Sequence, residues 1–425
     1  MSGKIILIFL LLISGAFAQQ QQQVAEDFNF YYNKGFEAYQ KKDYPGSVEN
    51  FKKALKLNPS SIGTWYNLAC AYALNGDKDQ AIALLNNLLD KGQGLDAEND
   101  GDFSSIRDTK EFKVILERIK KAKTPVNSSQ RAFIVKEKDL IPEGIAYDEK
   151  SGSFFLSSIY KAKIIQVRGD KGHKDFTSER QDGLWAVIGM KVDPKRNVLW
   201  ANSSAGRNTK GSKASEIGHS GVFKYDIATG KLIKKYIPED TLSHFFNDLA
   251  IADNGDIYLT DSQSPAIYKV SADKDEIELF LDMKSHIYPN GIAISADNKT
   301  LFAAHSNGVI KVDLQSRGYK EVAHPENISL NFIDGLYFYK NSLIGIQNFG
   351  FNRVARFYLN DQQDEVKDIK VIEAYNPDFI IPTTGVIAGD DLYYIANSQL
   401  ASFDQQGNIF PEDKLKDVVI LKAKL

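Results

Sequence analysis

Cysteine is nearly absent: Cys70 is the only one in 425 residues. No intrachain disulfide can form, and the apolar helical setting of Cys70 points to a buried structural thiol rather than a nucleophile. Net charge is also scarce, since 52 Lys and Arg against 55 Asp and Glu leave only −3. That balance removes the electrostatic case for a nucleic-acid partner. Long apolar runs are missing except at the start. Residues 1–18 carry one lysine, an apolar run over 5–13 and the small-residue site Ala16-Phe17-Ala18. This is the pattern of a cleaved secretory signal peptide, too short for a membrane span. Gln19 follows the predicted cut, so no lipid-acceptor cysteine stands there. The mature protein is expected to be soluble and secreted or periplasmic.

What is present divides in two. From Phe28 to about Lys91 the apolar spacing is helical, and Tyr31, Gly35, Ser47, Phe51 and Ala54 are answered 34 residues later by Trp65, Ala69, Ala81, Leu85 and Leu88. Small residues at 35, 47, 69 and 81 let helices approach closely, while large ones fill the gaps. This pattern, with Asp43-Tyr44 and Ala54-Leu55-Lys56-Leu57-Asn58-Pro59, resembles tetratricopeptide helix pairs. Asp108 to Lys123 reads as a further amphipathic helix, apolar at Phe112, Ile115, Leu116 and Ile119, that caps the pairs. The expected helical domain covers 26–123 and a linker covers 124–130. The resemblance implies a concave surface for a protein or peptide partner; a packing module fits the same residues.

Residues 131–425 are predicted to form an all-β six-bladed propeller. Six segments open alike: Pro142-Glu143-Gly144, Ile188-Gly189-Met190, Phe246-Asn247-Asp248, Pro289-Asn290-Gly291, Ile333-Asp334-Gly335 and Thr384-Gly385-Val386. Each runs into an apolar strand, a polar turn and a second apolar strand, and units of this kind bury a full core only against their neighbours. Equivalent positions then converge on one axis, bringing Glu143, Asn247, Asn290 and Asp334 together. The second strands end in small polar residues, Ser157, Asn202, Asp261, His305, Asn348 and Asn397 among them, which should line the same mouth. Ordinary strand-end chemistry accounts for that ring equally well.

Two carboxylates and two carboxamides offer oxygen donors alone, with a charge of −2. A hard divalent cation is their natural counterpart: calcium first, because it tolerates irregular oxygen shells, with magnesium and manganese open. The lack of His and Cys argues against zinc. Turn chemistry alone would place Asn or Asp at every such opening, yet Ile188 and Thr384 hold that register in the second and sixth repeats.

Taken together, Pro142-Glu143-Gly144, Asn247-Asp248, Pro289-Asn290-Gly291 and Asp334-Gly335 resemble the senescence-marker-protein/gluconolactonase/luciferin-regenerating family of calcium-dependent propellers, from about Leu140 to Leu400. The resemblance implies that Glu143, Asn247, Asn290 and Asp334 hold the metal and that Asp334 also moves a proton. It implies a lactonase or related esterase. Where sugar-lactone members often carry an arginine, two residues before Asn247, this chain has Phe245. A more apolar lactone or ester would suit Phe245, Phe246 and Trp185.

Candidate bases are Asp334, His305 and His244, because a neutral imidazole suits proton transfer near pH 7. Ser157, Ser203 and Ser262 have no nucleophile-elbow context. The rivals are a non-catalytic scaffold, in which the metal only stiffens the channel, and a strictosidine synthase-like enzyme.

Overall fold

Helix caps begin the helical unit. The structure, a computed structural model, describes residues 27–425 except 60, 92, 94, 170, 171, 284, 285, 287 and 405. The expected leader lies outside the described residues. Two compact units divide at Thr124 and Pro125. In the first, α1 (Phe28–Gln40), α2 (Tyr44–Leu57), α3 (Ile62–Asn75), α4 (Lys78–Asp90) and α5 (Lys110–Ala122) each pack on the next. Asp27, Asp43 and Thr109 accept the first free N–H groups of α1, α2 and α5. The α1–α2 crossing is tight enough that a Cβ on Gly35 would lie 2.6 Å from the Phe51 ring. The Ser47 hydroxyl adds a 2.9 Å hydrogen bond to the Gly35 carbonyl. The cap helix buries Phe112, Ile115 and Ile119 as its spacing predicts. Trp65 is only half-buried, its indole N–H donating to the Pro59 carbonyl at 2.8 Å. Among the described residues no helix is long and apolar enough to cross a membrane.

The second unit is a six-bladed β-propeller of antiparallel four-stranded sheets. From the first blade to the sixth, the innermost strands are Ile145–Asp148, Ala186–Asp193, Phe246–Ile251, Ile292–Ile294, Ile333–Phe338 and Gly385–Ala388. The sequence reveals only the inner hairpin of each blade. Outer strands such as His173–Asp175 and Tyr319–Glu321 are short and exposed, and carry no alternation. The sixth blade is completed by Gln130–Val135, which pairs with Val418–Lys424 and ties the two ends of the unit together. Residues expected to act as a linker are bonded to the fifth blade: Val126 bridges Ala374, and the N–H groups of Ser128 and Ser129 donate to the Glu373 carboxylate at 2.9 and 2.7 Å.

Each hydrophobic cluster joins neighbouring blades. Phe155 and Ile164 of the first pack with Met190, Leu199 and Phe223 of the second, and Val418 and Ile420 of the sixth pack with Leu156 and Ile165 of the first. Cores shared in this way explain why the repeat must close into a ring.

Candidate metal centre

Glycines after the predicted ligands let the innermost strands start almost in contact. A Cβ on Gly144 would fall 2.1 Å from the Ile188 carbonyl oxygen, and one on Gly291 would fall 2.4 Å from that of Asp334. The first to fifth innermost strands touch in succession, and the sixth meets the first. Gly385 N–H donates to the Tyr337 hydroxyl, and the Thr383 and Thr384 hydroxyls both reach the Glu143 carbonyl. The ring therefore closes through the registers of 143, 188, 247, 290, 334 and 384.

Glu143, Asn247 and Asp334 are buried, and Asn290 partly so. Six buried carboxylate or carboxamide oxygens among the described residues have no hydrogen-bond partner, and four of them are Glu143 Oε2, Asn247 Oδ1, Asp248 Oδ2 and Asn290 Oδ1. Leaving such an atom unmatched costs about 1–3 kcal/mol. Neighbours fix how these groups point. Asn247 Nδ2 donates to Ser262 Oγ at 3.0 Å, which turns its oxygen the other way. Asn290 and Asn348 both hydrogen-bond the Asp334 carboxylate. The donor set fits a hard cation bound through oxygen.

The local field agrees. Burial, then the negative charges of Asp334 and Asp248, hold the Glu143 carboxyl well above the usual range, with Lys191 opposing. Burial likewise pushes Asp334 up to about 7 against its amide hydrogen bonds. Carboxylates that resist ionisation when buried together are those a divalent ion would stabilise.

Two contributors were missed at the sequence level. Lys191 Nζ sits 3.2 Å from Asp248 Oδ1 and 5.3 Å from the Tyr337 ring centre, so it links blades two, three and five. Asp248 had a readable signal, because the other five repeats place glycine at its register.

The polar strand ends act mainly as ties. Ser157 Oγ accepts Gly144 N–H at 2.7 Å, and Asn202 Nδ2 donates to the Asn247 carbonyl at 3.0 Å. Asp261 receives the N–H groups of Phe245, Gln263 and Ser264 on one oxygen. Its other oxygen is 2.6 Å from His244 Nδ1, and His244 Nε2 is 2.8 Å from Asp240. Burial opposes charge on that ring, but the two carboxylates outweigh it and raise its pKa. With both nitrogens engaged, His244 has no free site to accept a proton. Nor does the structure turn His305 inward, since its Nε2 is 3.1 Å from Glu321 on the outermost strand of the fourth blade. Phe246 belongs to the core between blades two and three, which corrects its expected place at the mouth. Phe245 and Trp185 are half-buried.

Residues 141–370 match the family model described as SMP-30/Gluconolactonase/LRE-like region, and residues 35–76 match a TPR repeat model. A 64-residue stretch is 41% identical to photosystem I assembly protein Ycf3 of Prochlorococcus marinus (strain MIT 9211), covering 14% of this chain and 37% of that protein. For the same protein of Synechococcus sp. (strain WH7803) the figures are 37% over 70 residues, 16% and 40%. The chain spans about two fifths of the length of these curated relatives. Among solved structures, a gluconolactonase from Xanthomonas campestris is 14% identical, with coverage of 71% of this chain and 96% of that one and a TM-score of 0.48. Regucalcin from Agrobacterium tumefaciens, titled a calcium-binding protein, is 16% identical, with coverage of 69% and 95% and a TM-score of 0.48.

Proposed function

The chain belongs to the SMP-30/Gluconolactonase/LRE-like family, and from that premise we propose that it is a divalent-cation-dependent hydrolase of an apolar lactone or related ester. What supports the metal dependence is the set of orphaned oxygens on Glu143, Asn247 and Asn290, on innermost strands that touch in succession, beside Asp334. These four residues would hold the ion, with calcium favoured by the all-oxygen donor set. A bound cation supplies Lewis acidity at the substrate carbonyl and stabilises the negative charge that develops there.

The chain's own residues supply the rest. Asp334, held at the site beside Asn290 and Asn348, suits taking a proton from the attacking water and returning it to the ring oxygen as the acyl C–O bond breaks. The product is a hydroxy acid. Asn290 and Asn348 hold that carboxylate in place. Lys191 offsets the charge of Asp248 inside the channel. Phe245 and Trp185 offer apolar surface, which supports a substrate poorer in hydroxyls than a sugar lactone. Export through residues 1–18, and peptide binding by the helical unit, belong to the same proposal. Amino-terminal sequencing of the exported protein should begin at Gln19.

The test is a lactone and aryl-ester panel run on purified protein with calcium and with chelator. Calcium-dependent turnover that Asp334→Asn suppresses is the expected result. Equal rates with and without the metal would overturn the reading, and calcium binding without turnover would favour the scaffold.

A further inference from the structure

His286 and His305 share one carboxylate. His286 lies before the innermost strand of the fourth blade, His305 ends the strand Thr300–His305, and Glu321 ends the outermost strand Tyr319–Glu321. His286 Nε2 is 2.9 Å from Glu321 Oε1, and His305 Nε2 is 3.1 Å from Glu321 Oε2. The two imidazoles meet edge to face at 4.6 Å, and Tyr319 closes on His286 at 5.5 Å. Both rings are buried, whereas the Glu321 side chain is 56% exposed. The cluster is therefore walled by aromatic rings and open to solvent on the carboxylate side.

We propose that His286, His305 and Glu321 form a second metal site, separate from the oxygen-lined channel, that takes a borderline divalent cation, zinc first. Two imidazole nitrogens and one carboxylate oxygen are donors that zinc, nickel or copper prefer and calcium does not. Zinc bonds of about 2.0–2.1 Å set tetrahedral donors roughly 3.3 Å apart. The three ligand atoms already lie within 4.8 Å of one another, and the nitrogen-to-oxygen separations of 2.9 and 3.1 Å approach that spacing. Coordination through Nε2 leaves the neutral His305 proton on Nδ1, which gives up the long 3.3 Å contact from Asn307 N–H. A water on the exposed side completes four-coordination.

The position gives the site a consequence. Asn290 N–H donates to the Ala304 carbonyl at 2.9 Å, one residue before His305. Zinc would thus tie His286, four residues before the channel ligand Asn290, to the outer edge of its own blade. The alternative is a metal-free hub in which Glu321 bridges two imidazoles.

Calorimetry with zinc alone, on untagged, chelator-stripped full-length protein held in excess calcium, separates the two. The expected result is one zinc per chain that calcium does not displace. His286→Ala and His305→Ala should each weaken it about 100-fold or more, and Glu321→Gln about tenfold or more. Cobalt substitution should give the visible absorption of a four-coordinate centre that these variants lose. Glu321→Gln changes a largely exposed residue and so keeps the test valid if the histidine variants fail to fold. No stoichiometric zinc in the wild type, or zinc affinity unchanged in Glu321→Gln, overturns the proposal, whatever the lactone assays show.

Discussion

A cluster of acids occurs in each unit, partly buried around Asp100 and Asp102 in the helical one and buried in the propeller channel, and the two clusters are treated in opposite ways. In the helical unit, Asp100 accepts from the Tyr66 hydroxyl at 2.9 Å, the Cys70 thiol at 3.7 Å and the Asp102 N–H at 3.0 Å. Asp102 accepts the Tyr39 hydroxyl at 2.5 Å. Burial and these acids together push both phenols up, so they remain donors across the whole working range of pH. In the propeller channel, Glu143, Asp248 and the two asparagines keep oxygens that find no hydrogen-bond partner among the described residues. A polar cluster that satisfies itself has its lone pairs spent; one left open still has donors to offer.

The sharpest separation should come from Phe112, fully buried on α5. Phe112→Ala is expected to cost the helical unit about 3–5 kcal/mol, seen as an early loss of helical circular dichroism, with calcium titration of the propeller unchanged. Asp334→Asn should do the reverse: an affinity loss of about 100-fold, or roughly 2.7 kcal/mol, by calorimetry, with the helical melt intact. Undiminished calcium binding in that variant would break the contrast.

Acidity offers a third probe. The Asp334 carboxyl rises from 3.8 to about 7 in the folded, metal-free protein. The stability it contributes is fully present below its unfolded value and is lost as pH rises through about 7. Calcium needs the ionised form. The gap in Tm with and without calcium should therefore widen between roughly pH 4 and 7, and a gap independent of pH would remove Asp334 from the site. The smallest effect belongs to Tyr39→Phe. It deletes one hydrogen bond to Asp102 and should cost about 1 kcal/mol, with no change in calcium affinity.

Sequence periodicity made the blade register legible because inner strands repeat a physical need: a turn, a close backbone approach and two apolar faces. The same logic reached α5, whose apolar face follows one helical period. It could not reach the outer strands, which bury too little to show alternation, or Gln130–Val135, whose partner strand is set by ring closure rather than by local pattern. The direction of His305 was illegible for a different reason. Register fixes where a strand ends, but Glu321 draws the imidazole outward. Asp248 was visible as a break in a run of glycines; its link to Lys191 needed three dimensions.

The pairing of Gln130–Val135 with Val418–Lys424 sets a schedule for synthesis. The first of these strands leaves the ribosome about 290 residues ahead of its partner, an interval of roughly 15–60 s at ordinary translation speeds. Throughout that time the helical unit has all of its own sequence, while the propeller has an unlatched edge and apolar blade faces without a neighbour. Such an edge invites pairing with other chains. The nascent protein is thus most exposed to chaperones and to aggregation late in synthesis, and the last strand to emerge ends that period.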